Sequence, residues 1–358
     1  MDRPLPDRIS DRSRTREAAR PSSTLLLTRS EIAPLFTPAD YIDAVESGFR
    51  ALARGAARAP APLHVAAPSG GFHAKAALLE STDDHVAVKV NSNFPGNPAG
   101  FRVPTIQGAL LLFNAGDGRL LALMDSVEIT LRRTAAASAL AARFLARSDS
   151  TAIAMCGCGE QARAQLEALA AELPLRQGFA WDIDAPAATR FAAEMAPRVG
   201  FPITACADMR AAAIGSDVIV TTTPARVPFV GPDDVRAGTF IAAVGADNPE
   251  KSEIHPALMA RARVFVDVRE QCLAMGDLHH AVVAGAMTAD DVEADLADLV
   301  AGRKAGRRNA DDITLFDSTG VAIEDVAAAV AIFERAQSVG AGTSIFLSSP
   351  SHDTENRQ

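Results

Sequence analysis

Cysteine, aromatic residues and long apolar runs are all scarce in this chain. Its 358 residues include only four cysteines, one tryptophan and one tyrosine. So few cysteines in so long a chain do not make a disulfide framework, and a reducing cytosol is the simplest location. No apolar run approaches the roughly 18 residues that a membrane helix requires. We therefore expect a cytoplasmic protein without a membrane partner.

Positive charge is not in excess either. The formal net charge is −9 at pH 7, from 35 lysines and arginines against 44 acidic residues. Because nucleic-acid binding uses a basic face to neutralise phosphates, this balance argues against nucleic acid as the main partner. Hydrophobic residues (48%) and charged residues (22%) occur at the frequencies of a soluble globular protein. The length predicts two domains.

The two ends of the chain differ from the rest in composition. Residues 1–22 contain six arginines, three aspartates and one glutamate, with almost no large apolar residue. A secretory signal needs an apolar stretch and a transit peptide is poor in acids, so neither fits. We expect a disordered N-terminal extension over 1–22 and a disordered tail over 348–358.

Hydrophobic periodicity divides the remaining chain into two regions. "TPADYIDAVESGFRALARG" predicts an amphipathic helix capped at Thr37, and residues 60–125 alternate as strands, with "NAGDGR" as a hairpin turn. "EITLRRTAAASALAARFLA", residues 128–146, predicts an alanine-rich helix. From residue 150, apolar strands alternate with helices, which indicates a parallel sheet covered on both faces.

The stretch "MCGCGEQARAQLEAL" lies where the first of these strands meets its helix. Gly157, Gly159 and Ala162 form G-x-G-x-x-A, the fingerprint that seats a dinucleotide pyrophosphate on a helix N-terminus. Asp182 ends the next predicted strand, where its carboxylate can accept the adenosine ribose hydroxyls and repel a 2′-phosphate. This favours NAD(H), with NADP(H) as the alternative. The other interpretation, a Cys-x-Cys metal or redox site at Cys156 and Cys158, lacks further ligands at suitable spacing, although Cys158 is expected to be exposed.

Three further stretches contain candidates for chemistry. Lys89 follows alternating apolar residues in "VAVKVNSNF", and its alternative interpretation is a solvated residue at a strand end. Arg132 and Arg133 open a helix rich in small residues, and they are either a surface pair or a carboxylate-binding site, because arginines in a first turn oppose the helix dipole. Asp247 follows a strand in "AVGADNPEKSEI", where it either exchanges a proton or caps the next turn.

Together, the motifs of this chain resemble the ornithine cyclodeaminase and mu-crystallin family. The resemblance runs from about residue 24 to 346. It rests on "VAVKVNSNFPGNP", "VPTIQGALLLF", "LALMDSVEITLRRTAAASALAA", "CGCGEQARAQL", "FIAAVGADNPEKSEI", "GDLHHAV" and "ITLFDSTGVAIEDVAAA". Three of the stretches, "PTIQG", "CGCGEQ" and "GDLHH", are most similar to the bacterial Δ1-pyrroline-2-carboxylate and Δ1-piperideine-2-carboxylate (ketimine) reductases.

The resemblance implies an α/β architecture. A Rossmann NAD(P)-binding domain (149–319) would be inserted in a mixed α+β domain for substrate binding and dimerisation (23–148 plus 320–347). It also implies site residues. The catalytic residues would be Lys89 and Asp247, with Arg133 binding the substrate carboxylate. Cofactor contacts would come from Gly157, Cys158, Gly159, Glu160, Gln161, Asp182, Thr134, Thr221, Thr222, Val244 and Gly245, and from Asp317 and Ser318 in a loop that closes over the cofactor.

One position departs from the family pattern. The family often has a second carboxylate-binding arginine in a "P-x-R-x-H" stretch, but this chain reads "PAPLHV", with Pro62 in its place. His64 remains, and Lys75 in "FHAK" is close enough in sequence to replace the arginine. The stretch "GDLHH" suggests a metal site at Asp277, His279 and His280. Adjacent histidines on a helix point in different directions, however, so we expect no metal.

The resemblance implies an NAD(P)H-dependent reductase of a cyclic imino acid. The simplest reaction converts Δ1-pyrroline-2-carboxylate to L-proline, or Δ1-piperideine-2-carboxylate to L-pipecolate, in a homodimer. The alternatives are ornithine cyclodeamination to proline and ammonia with bound NAD, an alanine-dehydrogenase-like or acyclic imine reductase, and a non-catalytic ligand-binding protein of the crystallin kind. Either Lys89 or Asp247 would supply the proton.

Overall fold

The computed structural model describes residues 23–347 of the chain. The two segments expected to be disordered, 1–22 and 348–358, lie outside the described residues. Among the described helices, none combines the length and apolar character needed to cross a membrane.

The first part of the chain forms seven strands and four helices before it enters a second sheet. In order they are β1 (Thr24–Leu27), α1 (Arg29–Ile32), α2 (Pro38–Ala53), β2 (Ala57–Arg58), β3 (Leu63–Ala67), β4 (Gly70–Leu79), β5 (His85–Asn93), α3 (Asn97–Gly100), β6 (Ile106–Asn114), β7 (Leu120–Asp125) and α4 (Ser126–Leu145).

The second part alternates strand and helix, as its periodicity predicts. It comprises β8 (Ala152–Cys156), α5 (Glu160–Glu172), β9 (Gln177–Trp181), α6 (Ala185–Val199), β10 (Ile203–Ala205), α7 (Met209–Ala213), β11 (Val218–Thr221), β12 (Phe240–Ala243), α8 (Pro256–Arg261), β13 (Arg263–Val266), α9 (Arg269–Ala274), α10 (Asp277–Val283), β14 (Ala294–Asp295), α11 (Leu296–Val300) and β15 (Thr314–Asp317). The chain then returns to the first sheet with α12 (Ala322–Val339) and β16 (Thr343–Ile345).

The first sheet is mostly antiparallel and contains strands from both ends of the described chain. Its order is β16-β1-β7-β6-β5-β4-β2, with β3 paired to β4. One face is covered by α12, which packs on β4, β5 and β6 and also contacts α2 and α4. The predicted helix at α2 has its capping box, since Thr37 and Asp40 exchange hydrogen bonds.

The second sheet is parallel in every described strand pair, with the order β10-β9-β8-β11-β12-β15-β13-β14. After β8 the chain builds outward through β9 and β10, and then returns to place β11 on the other side of β8. In such sheets ligands bind beyond the carboxyl ends of the strands, at the point where the strand order reverses. The predicted fold class, a Rossmann sheet inserted in a mixed α+β unit, is confirmed.

Helix α4 joins the two sheets, and its bounds change one expectation. The helix begins at Ser126, so Arg132 and Arg133 lie about two turns inside it rather than in its first turn. The dipole argument used for these arginines is therefore wrong. The alanine run that follows is buried and packs on α5, which places the arginines where the two sheets meet.

Candidate active site

The glycines of the fingerprint adopt the geometry that a dinucleotide needs. Gly157 has φ +92°, and a Cβ there would lie 2.8 Å from Thr223 Cγ2 and 3.0 Å from the Thr222 carbonyl oxygen. Gly159 is the N-cap of α5; a Cβ there would meet no atom within 4 Å, and no described side chain caps the helix. Open space and uncapped N–H groups at a helix N-terminus fit a pyrophosphate.

Asp182 lies beside this loop, just after β9. One carboxylate oxygen accepts the Cys158 N–H at 2.8 Å, and the other accepts the Asp184 N–H at 2.9 Å. This holds the carboxylate at the fingerprint loop, where the ribose of a bound dinucleotide is expected. The two other predicted residues of this helix differ in setting: Glu160 is exposed, whereas Gln161 donates to the Leu131 carbonyl oxygen of α4 at 3.3 Å.

The expectation that Cys158 is exposed is wrong, because only 5% of the residue is accessible. Burial raises the pKa of its thiol to about 12, and Cys156 is fully buried with its pKa raised for the same reason. Such thiols remain protonated and unreactive at neutral pH. In the segment from 23 to 347, no three histidine, cysteine, aspartate or glutamate side chains converge as a metal site. His279 and His280 instead contact the carbonyl oxygens of Leu273 and Lys251.

Lys89 lies in the middle of the first sheet, so the solvated-end interpretation is wrong. Strands β4 and β6 flank it on both sides, and only 4% of the residue is accessible. Its Nζ donates to Asp325 Oδ1 at 2.7 Å and to Thr130 Oγ1 at 3.3 Å. Burial and the charge of Arg133 lower the pKa of Lys89 to about 7, although Asp325 opposes the shift.

Lys75 is the direct cross-strand neighbour of Lys89, so the two ammonium groups share one face of the sheet. Its Nζ donates to the Gly320 carbonyl oxygen at 2.6 Å, in the segment that joins β15 to α12. Burial, with the charge of Arg133, lowers the pKa of Lys75. The position of Lys75 is therefore compatible with the replacement role predicted for it.

Arg133 is buried as well, so it is not half of a surface pair. Its guanidinium donates to Glu324 Oε2 at 2.6 Å, and its Nε forms an ion pair with Asp325 Oδ1 at 2.8 Å. Burial opposes its charge, but these two carboxylates outweigh that effect and raise the pKa of Arg133. Its neighbour Arg132 is different, because it bonds to Glu128 one turn earlier in α4 and to Glu167 of α5.

Sequence reasoning missed the two acids of α12 that hold these cations. Asp325 contacts both Lys89 and Arg133, which overcomes the effect of burial and lowers its pKa, while burial raises the pKa of Glu324 to about 7 despite Arg133. The signal was present in "GVAIEDVAAA", a helix otherwise almost entirely apolar. A helix that is apolar all round is buried, and buried acids require partners.

Asp247 follows β12 at the carboxyl edge of the second sheet. Its side chain is 53% accessible and pairs with Lys251 Nζ at 2.7 Å. The cap of the next turn is Asn248, whose side-chain oxygen accepts the Glu250 and Lys251 N–H groups, so the capping interpretation of Asp247 is wrong. Burial lowers the pKa of Lys75, and the Asp247 charge is among those that oppose this shift.

His64 is exposed on β3, and its Nδ1 lies 3.3 Å from Nδ1 of His73 on β4. Burial lowers the pKa of His73, followed by the charge of His64, while Asp247 raises it. His73 precedes Lys75 by two residues on β4, so the histidine pair lies on the same face of the sheet as Lys75. A contact between His64 and a substrate remains a prediction.

Several of the predicted cofactor residues have partners within the protein. Thr221 is fully buried and its hydroxyl donates to Glu253, whereas the Thr222 hydroxyl donates to the Gly157 carbonyl oxygen at 3.3 Å. Thr134 is largely buried in α4 beside Arg133. Val244 and Gly245 follow β12 and lead to Asp247, and a contact of either residue with a cofactor remains a prediction. A direct contact of the Thr221 side chain with a cofactor does not fit this arrangement.

Asp317 and Ser318 were expected in a loop over the cofactor; that location is wrong for Asp317, and a cofactor contact of Ser318 remains a prediction. Asp317 is the last residue of β15 and has no accessible surface; its carboxylate accepts the Leu278 N–H at 2.8 Å. Ser318 is buried, and its hydroxyl has no partner among the described residues. The segment then continues through Gly320, whose N–H donates to Asp267 and whose carbonyl accepts Lys75.

These contacts bring the two halves of the site together. The segment 317–320 leads from the end of β15, at the carboxyl edge of the second sheet, to the Lys75 ammonium of the first sheet, and Asp247 follows β12 at the same edge. The geometry therefore combines the glycine-rich N-terminus of α5 with a cluster of lysine, arginine and carboxylate groups, which hydrogen bonds join to the carboxyl edge of the second sheet.

The sequence profile of the ornithine cyclodeaminase/mu-crystallin family matches residues 22–340. The chain belongs to this family. An alanine dehydrogenase from Archaeoglobus fulgidus is 37% identical over 322 residues, which span 90% of this chain and 98% of that protein. Amino-acid metabolism and NAD-linked oxidoreduction, predicted from the sequence, are confirmed at the level of the family.

Two solved structures show the same likeness in three dimensions. The Δ1-pyrroline-2-carboxylate reductase of Thermococcus litoralis, in complex with NADH and L-proline, superposes with a TM-score of 0.86 at 33% identity, covering 90% of this chain and 100% of that one. The iminosuccinate reductase of Paracoccus denitrificans, in complex with NAD+, gives a TM-score of 0.84 at 31% identity, covering 90% and 99%.

Proposed function

We propose that this protein reduces the C=N bond of an α-imino acid with NADH. The simplest substrate is Δ1-pyrroline-2-carboxylate, which yields L-proline, and its six-membered homologue Δ1-piperideine-2-carboxylate would yield L-pipecolate. The observation that carries the proposal is the buried pair of Lys89 and Arg133 beside the carboxyl edge of a dinucleotide-binding sheet. The similarity to reductases of this kind supports it.

The substrate carboxylate binds to Arg133 and Lys75 in this proposal. Guanidinium groups hold carboxylates through paired, charge-assisted hydrogen bonds. Lys75 supplies the second cation, because Pro62 replaces the arginine that the family often has there. This binding fixes the imine carbon at the edge of the second sheet, and orientation alone contributes several kcal/mol to such reactions.

Lys89 holds the proton that the reaction consumes. NADH, when bound, supplies the hydride to the imine carbon and becomes NAD+. The Lys89 ammonium transfers a proton to the imine nitrogen, so that the C=N bond becomes CH–NH. A pKa near 7 makes Lys89 both a ready donor and easily reprotonated. Asp247, which is half-exposed and paired with Lys251, relays protons between Lys89 and solvent.

The cofactor choice follows from Asp182. Its carboxylate lies at the fingerprint loop, where it accepts the ribose hydroxyls of NADH and repels the 2′-phosphate of NADPH. We therefore propose NAD(H) as the cofactor and the segment 149–319 as the domain that binds it. The NAD and NADH complexes of the similar structures support this choice.

The test follows the absorbance of NADH, and then of NADPH, with Δ1-pyrroline-2-carboxylate, beside an assay for proline and ammonia from ornithine without added reductant. We expect rapid oxidation of NADH by the imine and no reaction with ornithine. Proline and ammonia from ornithine would instead establish a cyclodeaminase. Cofactor binding without turnover of any substrate would establish a non-catalytic ligand-binding protein.

A second candidate is reduction of an acyclic imine, as in an alanine dehydrogenase. The similarity to the Archaeoglobus fulgidus enzyme over 90% of the chain favours it. The same residues would act, because the carboxylate and the C=N bond keep their relative positions when the ring is absent. Pyruvate with ammonium, offered in place of the cyclic imine, separates the two: the better substrate is the one with the higher kcat/KM.

We also propose that the chain forms a homodimer through the outer face of its first sheet. Alternation places this face opposite Lys89 and α12. Cross-strand pairing of Leu63 with Ala74 and of Val65 with Phe72 puts exposed apolar side chains on it. Val90, paired with Ala74, extends the same patch. Apolar patches of this kind mark interfaces.

The dimer is tested by light scattering coupled to size-exclusion chromatography. The wild-type chain should elute with twice its monomer mass of 37.4 kDa. Val90→Asp places a charge in the patch and should yield a monomer. A dimer unaffected by Val90→Asp, or a wild-type monomer, would contradict the proposed interface.

A further inference from the structure

A fully buried glutamate lies under the carboxyl edge of the second sheet, and none of the steps proposed above uses it. Glu253 has no accessible surface, and both of its oxygens are hydrogen-bonded. Oε1 accepts the Thr223 N–H at 2.6 Å and the Thr223 hydroxyl at 2.7 Å. Oε2 accepts the Thr221 hydroxyl at 2.6 Å and the Gly245 N–H at 2.7 Å.

These four bonds join the ends of two neighbouring strands. Thr221 ends β11 and Thr223 follows it, while Gly245 lies just beyond β12 and two residues before Asp247. The contact is close: a Cβ on Gly245 would lie 2.5 Å from Glu253 Oε1. Thr223 also packs against Gly157 of the fingerprint loop. One carboxylate therefore links both turns to the dinucleotide seat.

The backbone of Glu253 is itself held by the carboxylate of Asp277, which Asp317 holds in turn. Asp277 Oδ1 accepts the N–H groups of Glu253 at 2.7 Å and Ile254 at 2.9 Å. Asp277 begins α10, and the first N–H groups of that helix donate to Asp317 at the end of β15. The chain of bonds explains the acid in "GDLHH" and the burial of Asp317. The backbone of Glu253 cannot shift without breaking these bonds.

The positions of β11 and β12 in the sheet determine which part of a dinucleotide the turns after them face. The pyrophosphate seat follows β8, and β9 and β10 lie on the side of the ribose-binding Asp182. The strands β11 and β12 lie on the opposite side of the point where the strand order reverses. In such sheets the nicotinamide half of a dinucleotide lies on that side. Resting on the proposed function, we propose that Glu253 is a positioning residue that fixes Gly245 and Thr223 against the nicotinamide end of the cofactor.

The hydrogen-bond pattern requires a carboxylate rather than an amide. A backbone N–H donates to each oxygen, so the NH2 group of a glutamine would face a donor in either orientation. Glu253→Gln keeps the size of the side chain but loses one of these bonds. Glu250→Gln is the matched control, because Glu250 is exposed on the same segment and, within residues 23–347, its side chain pairs with Arg226 at the surface.

The main experiment compares the affinities of NADH and ADP-ribose, which lacks the nicotinamide ring. In Glu253→Gln, we expect the Kd of NADH to rise about tenfold and that of ADP-ribose to change less than about twofold, against no change in Glu250→Gln. Equal weakening of both ligands, or no weakening of either, would overturn the proposal. Neither reading depends on turnover, so a failure of the imine assay leaves this test intact.

Two further measurements separate positioning from general stability. In the cofactor-free protein, hydrogen exchange over residues 240–253 should accelerate in Glu253→Gln while exchange in β9 and α5 stays at the wild-type rate. Thr223→Val, which removes one bond and keeps both backbone donors, serves if Glu253→Gln does not fold, and it should raise the Kd of NADH selectively by a smaller factor. Glu253 would be merely structural if exchange were uniformly faster and if the ratio of the Kd of NADH to the Kd of ADP-ribose stayed at the wild-type value in both variants.

Discussion

Asp325→Asn tests whether the buried charges around Lys89 set the pH range of the enzyme. Asp325 Oδ1 contacts Lys89 Nζ at 2.7 Å and Arg133 Nε at 2.8 Å, while Oδ2 has no partner among the described residues. An asparagine can therefore keep its oxygen toward both cations and place its NH2 group where Oδ2 was. The variant removes the charge and preserves the shape.

The direction of the effect follows from the sign of the removed charge. Burial and Arg133 lower the pKa of Lys89 to about 7, and Asp325 is the charge that opposes them. Loss of an opposite charge at this distance lowers an amine pKa by roughly 1–3 units. Because the ammonium form donates the proton, kcat/KM falls as pH rises through that pKa. The descending limb should therefore move from about pH 7 to about pH 4–6.

The measurement is kcat/KM for the imino acid from about pH 4 to about pH 9, so that it covers the expected limb. Glu334→Gln is the control, because Glu334 is exposed on the same helix. With a pKa near 5, only about 1% of Lys89 is ammonium at pH 7, so kcat/KM should fall roughly 50-fold there and recover toward acid pH. Thermal unfolding must show that the variant is folded, because breaking a buried ion pair costs roughly 3–5 kcal/mol. A folded variant whose limb stays at pH 7 would refute the assignment of Lys89.

Three further substitutions test the site. Arg133→Ala should raise the KM of the imino acid about 10- to 100-fold, since it removes charge-assisted bonds of roughly 1.5–3 kcal/mol, and a normal KM would exclude Arg133 from carboxylate binding. Asp182→Ala should lower the preference for NADH over NADPH about tenfold in kcat/KM, and unchanged selectivity would contradict its role. Gly320→Ala should lower Tm and raise KM, because φ is +71° and the added Cβ would lie 2.6 Å from an Arg133 nitrogen; wild-type values of both would count against this contact.

The cofactor half of the molecule could be predicted from the sequence because its signals are local. Gly157 and Gly159 lie within one strand-turn-helix unit, and their spacing reflects the backbone geometry that a pyrophosphate requires. The alternation of strands and helices after residue 150 likewise depends on neighbours a few positions apart. Asp182 required one more step, the knowledge that the next strand ends beside the same loop.

The substrate half could be predicted only in part because its contacts are long-range. Lys89 in "VAVKV" has the same local pattern whether its strand lies at an edge or in the middle of a sheet. It is buried because β4 and β6 pair on both sides of it, and its partner Asp325 lies 236 residues later. The resemblance to a family named Lys89 and Arg133, but neither periodicity nor spacing indicated that one carboxylate holds both.

The sequence alone indicates which buried charges must pair. The stretch from Val321 to Ile332 is apolar on every side except for Glu324 and Asp325, so the helix must be buried and its two acids must meet cations there. Few cations lie in equally apolar surroundings: Lys89 lies among valines, and Arg133 precedes an alanine run. Because buried acids must pair with buried cations, the sequence predicts that α12 packs against β5 and α4, and this prediction requires no comparison with a homologue. The partners of Glu253 cannot be predicted in this way, because they are hydroxyl and backbone N–H groups, which every sequence contains.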